Sequence, residues 1–127
     1  MTIVAYLDAI KTRLMTDPVV ATFQVARERS TGSDGYVRVR ATLSDNSKLE
    51  FAEYVQLAAD GQVNVVTYNY HWADAANQLI QRWDNTPHHP EVSGFPHHAH
   101  ARANDVPVPG QAMTVFTVLD EVSQRLR

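Results

Sequence analysis

The stretch YVRVRATL, residues 36–43, alternates along its whole length: Val37, Val39, Ala41 and Leu43 on one face, Tyr36, Arg38, Arg40 and Thr42 on the other. A period of two marks a strand with one dry face and one wet face. Comparable runs cover residues 19–30, 48–58, 62–72 and 78–85. Between the runs stand TGSDG, SDNS, ADG and ADAAN, which are turns by composition. Links this short cannot join parallel neighbours, which need a crossover of about a dozen residues or more. The expected sheet is therefore a five-strand antiparallel meander. In the run 48–58 the alternation slips after Phe51, which reads as a bulge.

At both ends of the chain the period lengthens to that of a helix. Ile3, Leu7, Ile10 and Leu14 form one apolar stripe over 3–15, and Val115, Val118, Leu119, Val122 and Leu126 another over 112–126. Thr2 is placed to cap the first helix, and Asp17-Pro18 to end it. Two one-sided helices and a one-sided sheet fit an α+β fold with both helices packed on one face. A long Pro/His-rich loop, 86–110, precedes the last helix and holds five of the six prolines. At 127 residues the chain reads as a single domain, 1–127.

There is no cysteine, so disulfides and thiolate metal sites are excluded. A net charge of −3 argues against non-specific nucleic-acid binding over the whole surface. It leaves a local basic site open at Arg27, Arg29, Arg38 and Arg40, whose simplest reading is the solvated face of a hairpin. The first residues lack the basic start and unbroken apolar core of a signal peptide. No apolar run approaches the ~20 residues a bilayer span needs. The expectation is a cytoplasmic protein with no membrane partner.

Five of the six histidines fall in RWDNTPHHPEVSGFPHHAH, residues 82–100, and the sixth is His71. Pairing the fourth and fifth strands as Trp72–Leu79, Tyr70–Gln81 and Tyr68–Trp83 gathers the aromatic residues on one face. His71, Arg82 and Asp84 then share the other. Three readings follow. In the first, two histidines serve as base and acid, Arg82 holds a phosphate and Asp84 orients an imidazole; RNA can be cut this way through its ribose 2′-OH without metal. The candidates are His71, Arg82, Asp84, His88, His97, His98 and His100, with Tyr68, Tyr70, Arg38 and Arg40 as substrate contacts. In the second, His88, His89 and the His-x-His of 98–100, with Asp84 and Glu91, hold a metal for hydrolysis. The prolines at 87, 90 and 96 deny it helical ligand spacing, so no cofactor is the preferred expectation. In the third, the loop is structural and the Tyr68/Trp72/Trp83 face docks a partner.

Four phrases then become specific: Tyr68-x-Tyr70-His71-Trp72, Arg82-Trp83-Asp84-Asn85, Pro87-His88-His89-Pro90 and Phe95-Pro96-His97-His98-x-His100. Together with ERSTGSDGYVRVRATLSDNSKLEF and the short final helix, they resemble the TumE family of toxins, from about Arg27 to the C-terminus. The family usually has Lys where this chain has Ala99, which implies an altered anion site. The resemblance implies a toxin paired with a small helix-turn-helix antitoxin. An RNA substrate is expected by analogy with toxins of this size, and a homodimer is left open.

Overall fold

The computed structural model describes residues 1–85, 98–101, 107–109 and 113–126, the two middle pieces by their backbone course. Helix α1 (Ile3–Thr16) opens on Thr2, whose hydroxyl accepts the Ala5 N–H at 3.0 Å. It closes at Asp17, whose carboxylate accepts Arg13 Nε at 2.8 Å and the Val19 N–H at 3.0 Å. Then come β1 (Val20–Ser30), β2 (Asp34–Leu43), β3 (Lys48–Leu57), β4 (Val63–Ala73) and β5 (Leu79–Asp84). Two short strands, β6 (His98–Ala101) and β7 (Pro107–Pro109), precede α2 (Val115–Arg125). A Thr114/Thr117 capping box opens α2.

The fold is α+β, and its sheet is an antiparallel meander in chain order, β1 to β7. The five expected strands are present. The sheet continues by two more inside the segment read as loop, because HAHA and PVP are too short and too poor in β-branched residues to announce themselves. The rest of that segment lies outside the described residues. Among the described residues no helix is long and apolar enough to cross a membrane.

Both helices cover the same face of the sheet. Ile3, Leu7, Ile10 and Leu14 of α1, and Val115, Val118, Leu119 and Val122 of α2, join one core with Val37, Val39, Leu43, Leu49, Phe51 and Val55. Tyr68, Tyr70, Trp72 and Trp83 complete it. Gly35 lets α1 lie this close: a Cβ there would stand 2.7 Å from Ile3 Cγ2. The opposite face of the sheet carries neither helix.

The alternation of β3 places a glutamate in the core. Glu53, 1% exposed, takes the alternating inward position between Phe51 and Val55. Its carboxylate accepts the hydroxyls of Tyr6 at 2.6 Å and Tyr70 at 2.7 Å, and the backbone N–H of Val115 at 2.8 Å. Here the bulge expected in β3 is corrected. The strand keeps an unbroken register against β2, and the apparent slip after Phe51 is a buried glutamate in an apolar position. The extra residue in this region is Val66, on β4.

Burial pushes the Glu53 carboxyl above its ordinary value of 4.5, against the opposing pull of its three donors. Burial, followed by the Glu53 charge, raises the phenols of Tyr6 and Tyr70 as well, so both stay protonated donors. Replacing Glu53 with Leu strands the Tyr6 hydroxyl and the Val115 N–H, each worth about 1–3 kcal/mol, and leaves Tyr70 only the longer bond to the Met113 carbonyl at 3.3 Å. Urea unfolding should show E53L destabilised by about 3 kcal/mol or more, and E53Q by about 1 kcal/mol. A carboxyl raised on folding stabilises most while both states hold the proton. The wild-type advantage over E53Q should therefore be greatest at or below pH 4.5 and shrink as pH rises from there.

Candidate functional site

The β4–β5 hairpin places the candidate residues. Its turn is held by Asp74, whose carboxylate accepts the N–H groups of Ala76 and Gln78, both at 2.9 Å, with Asn77 at φ 65°. Asn tolerates this left-handed conformation better than other non-glycine residues. The observed register is Asn69–Asp84, Tyr70–Trp83, His71–Arg82 and Trp72–Gln81, with Ile80 as an extra residue before Leu79 meets Ala73. The expected pairing of Trp72 with Leu79 is thus displaced by two residues, because Ala73 closes the turn against Leu79 and Ile80 bulges out of β5. A displacement of two leaves His71, Arg82 and Asp84 on their expected common face, whereas at the bulge Leu79 now stands opposite Ala73 and Ile80 packs against the core.

His71 and Arg82 are therefore direct cross-strand neighbours on the open face. They belong to a row that crosses the sheet: Gln24, Arg40, Glu50, His71, Arg82 and the backbone position of His100 stand opposite one another in turn. The next row runs Arg27, Arg38, Ala52, Asn69, Asp84 and the position of His98. Strand β6 thus brings two histidines of the His-rich segment into register with the Arg82 and Asp84 that the sequence placed beside them. His88, His89 and His97 lie outside the described residues.

Arg82 and Asp84 differ sharply in exposure. The Arg82 side chain is one-third exposed, whereas Asp84 is buried, and Arg82 Nε sits 3.5 Å from Asp84 Oδ2. That Nε is buried and makes no hydrogen bond. Glu50 meets Arg38 at 2.6 Å and Arg40 at 3.7 Å. It is the first cause, and the Tyr36 hydroxyl the second, that raises the Arg38 guanidinium. Arg38, Glu50, Asn69, His71 and Arg82 line an open hollow of about 300 Å³.

Among the described residues, this face is cationic. By register it carries Arg27, Arg29, Arg38, Arg40, Lys48 and Arg82, six of the eleven Lys and Arg of the chain. Against them stand Asp34, Glu50 and Asp84, three of its fourteen Asp and Glu. A chain of net charge −3 has sorted its positive side chains onto the face that the helices leave bare.

Two expected contacts are not brought there. Tyr68 and Tyr70, 5% and 0% exposed, lie on the helix-covered face. Their rings stack 5.1 Å apart, and Tyr70 serves Glu53. Neither can donate a proton to a substrate held by Arg82. The proposed docking face of Tyr68, Trp72 and Trp83 is corrected for the same reason: α2 covers it, and Arg125 lies 4.9 Å over the Trp72 ring. The Trp72 indole N–H donates to Ser47 at 3.0 Å. Among the described residues, no three His, Asp or Glu side chains gather to hold a metal ion.

The sequence profile described as toxin TumE matches residues 9–126. That span begins well before Arg27, where the resemblance in individual phrases starts, and takes in most of α1. No curated protein and no solved structure matches the chain. With nearly its whole length matched, the chain belongs to the TumE family, toxins of toxin–antitoxin systems, and its partner is an antitoxin.

Proposed function

We propose that this toxin is a metal-independent ribonuclease acting on the open face of its sheet. The observation that carries the reading is the pairing of His71 with Arg82 in a hollow on a cationic face, with the positions of His100 and His98 next in register. Arg82 binds the scissile phosphate and stabilises the charge that builds on its oxygens, assisted by Arg38 and Arg40. One histidine takes the proton of the ribose 2′-OH as that oxygen attacks phosphorus. The other donates a proton to the departing 5′ oxygen, and the products are a 2′,3′-cyclic phosphate and a 5′-hydroxyl. His71 is one partner, and the second comes from His88, His97, His98 and His100. Asp84 holds an imidazole in the working tautomer, as buried carboxylates do elsewhere.

Purified toxin should cut RNA in the presence of a chelator, and a 2′-deoxy residue at the scissile position should block the cut. His71→Ala should lower the rate by about 10²–10⁴-fold and Arg82→Ala by about 10²–10³-fold, with folding checked by circular dichroism. A histidine pair gives a bell-shaped rate profile near neutral pH. Cells arrested with intact RNA would overturn the nuclease, and activity lost to the chelator would favour the metal-dependent reading.

The antitoxin is proposed to be a small helix-turn-helix protein. A reading frame beside this gene should encode it, and its co-expression should restore growth and abolish RNA cutting.

A further inference from the structure

Beside the His71/Arg82 hollow lies a second hollow of about 300 Å³, lined by Tyr36, Tyr54, Thr67, Asn69 and Asn85. The two share Ala52 and Asn69 as a common floor. Tyr36 and Tyr54 are direct cross-strand partners, and Thr67 follows them in register. On a face made mostly of charged, amide and hydroxyl side chains, these are two partly exposed tyrosines on neighbouring strands. A pair of tyrosines at outward positions has no core to fill.

Tyr54 is also held in place. The Tyr54 hydroxyl donates to Asp34 Oδ2 at 2.8 Å and accepts from Gln56 Nε2 at 3.1 Å. Thr31, at 2.7 Å, holds the same Asp34 carboxylate from the other side. Asn85 is pinned too: its Oδ1 accepts the Tyr68 N–H at 2.9 Å, and its Nδ2 donates to the Val66 carbonyl at 2.8 Å. That fixes an amide of known orientation at the rim of the hollow. The extra residue Val66 loosens the β3–β4 ladder at this point, which opens the hollow beside Thr67.

The row of Tyr54 and Thr67 lies four residues along β4 from His71. At ~3.3 Å per residue that is about 13 Å, within reach of a nucleotide that neighbours a phosphate held at Arg82. Paired bases have both ring faces and their hydrogen-bonding edges occupied, so a base can enter such a hollow when it is unpaired. Aromatic platforms in basic grooves bind single strands in this manner.

We propose that Tyr36 and Tyr54 form a nucleobase subsite, with Asn69 and Asn85 presenting amides to the base edge. The substrate of the toxin is then single-stranded RNA with an unpaired base beside the scissile phosphate. This rests on the ribonuclease reading for the position of the phosphate, and its own evidence is the aromatic hollow.

The test uses the full-length toxin and a fluorescent ten-nucleotide RNA made non-cleavable by 2′-deoxy substitution at each scissile position. A set of the same oligonucleotides lacks one base at a time. Wild-type toxin should bind one abasic oligonucleotide about tenfold or more weaker than the parent, and a duplex of the same sequence weaker still. The double variant Tyr36→Leu/Tyr54→Leu keeps side-chain bulk and removes the ring faces. It should lose the same factor on the parent oligonucleotide and show no further loss on the abasic one. Should that variant fail to fold, the wild-type abasic series decides. Equal affinity for every abasic oligonucleotide, or for duplex and single strand, overturns the subsite. So does a double variant whose RNA affinity is intact and whose antitoxin affinity alone falls. Base-dependent binding without any cleavage of unmodified RNA would sink the ribonuclease and leave the subsite standing. Cleavage that ignores the abasic positions would do the reverse.

Discussion

A single buried carboxylate joins the layers of this protein. Glu53 sits in the middle of the sheet, where an apolar residue is expected, and receives Tyr6 from α1, Tyr70 from β4 and the first N–H of α2. Elements from the two ends of the chain are thereby fixed against one strand. Hydrophobic burial is non-directional and does not specify where along the sheet a helix lies. Three directional hydrogen bonds do, and an unmade one in such a site is costly. The opening of α2 at Val115 is set by this contact, as well as by its own Thr114 cap.

Placing both helices on the Glu53 face leaves the other face of the sheet without a helix. Its composition follows from that. Alternation sends Arg38, Arg40, Glu50, Asn69, His71 and Arg82 outward from the strands whose inward residues build the core. The rows across the sheet then bring together residues far apart in sequence, from Gln24 to the position of His100. The same geometry that makes the core makes the candidate site, on opposite sides of one layer. A change on one face is felt on the other mainly through the strand backbones, so substitutions of outward side chains test the site with little disturbance of the core.

Much of this was legible in the sequence, and the failures have physical causes. The alternation of Val37, Val39, Ala41 and Leu43 announced β2 and its wet face. The partition of His71, Arg82 and Asp84 to one side survived an error of two residues in register, because side-chain faces repeat every two residues. The error itself came from Ile80 and Asn77, a bulge and a left-handed turn residue that no hydrophobic pattern reports. The slip after Phe51 reads as a bulge because a pattern search counts a glutamate as outward; a glutamate flanked at two residues on either side by Phe51 and Val55 is the available signal. Tyr68 and Tyr70 suit substrate contact by residue type, and burial on the helix side removes them. The outward pair Tyr36 and Tyr54 could not be seen as a pair before the β2–β3 register was known.

The central claim is that the helix-free face of the sheet, centred on His71 and Arg82, receives the substrate. Side-chain nitrogen resonances of a ¹⁵N-labelled toxin, titrated with a non-cleavable single-stranded RNA, address it directly. The account predicts that His71 and Arg82 Nε shift with the added strand while backbone amides of α1 and α2 stay in place. Shifts confined to the helices, with His71 and Arg82 unmoved, would contradict it.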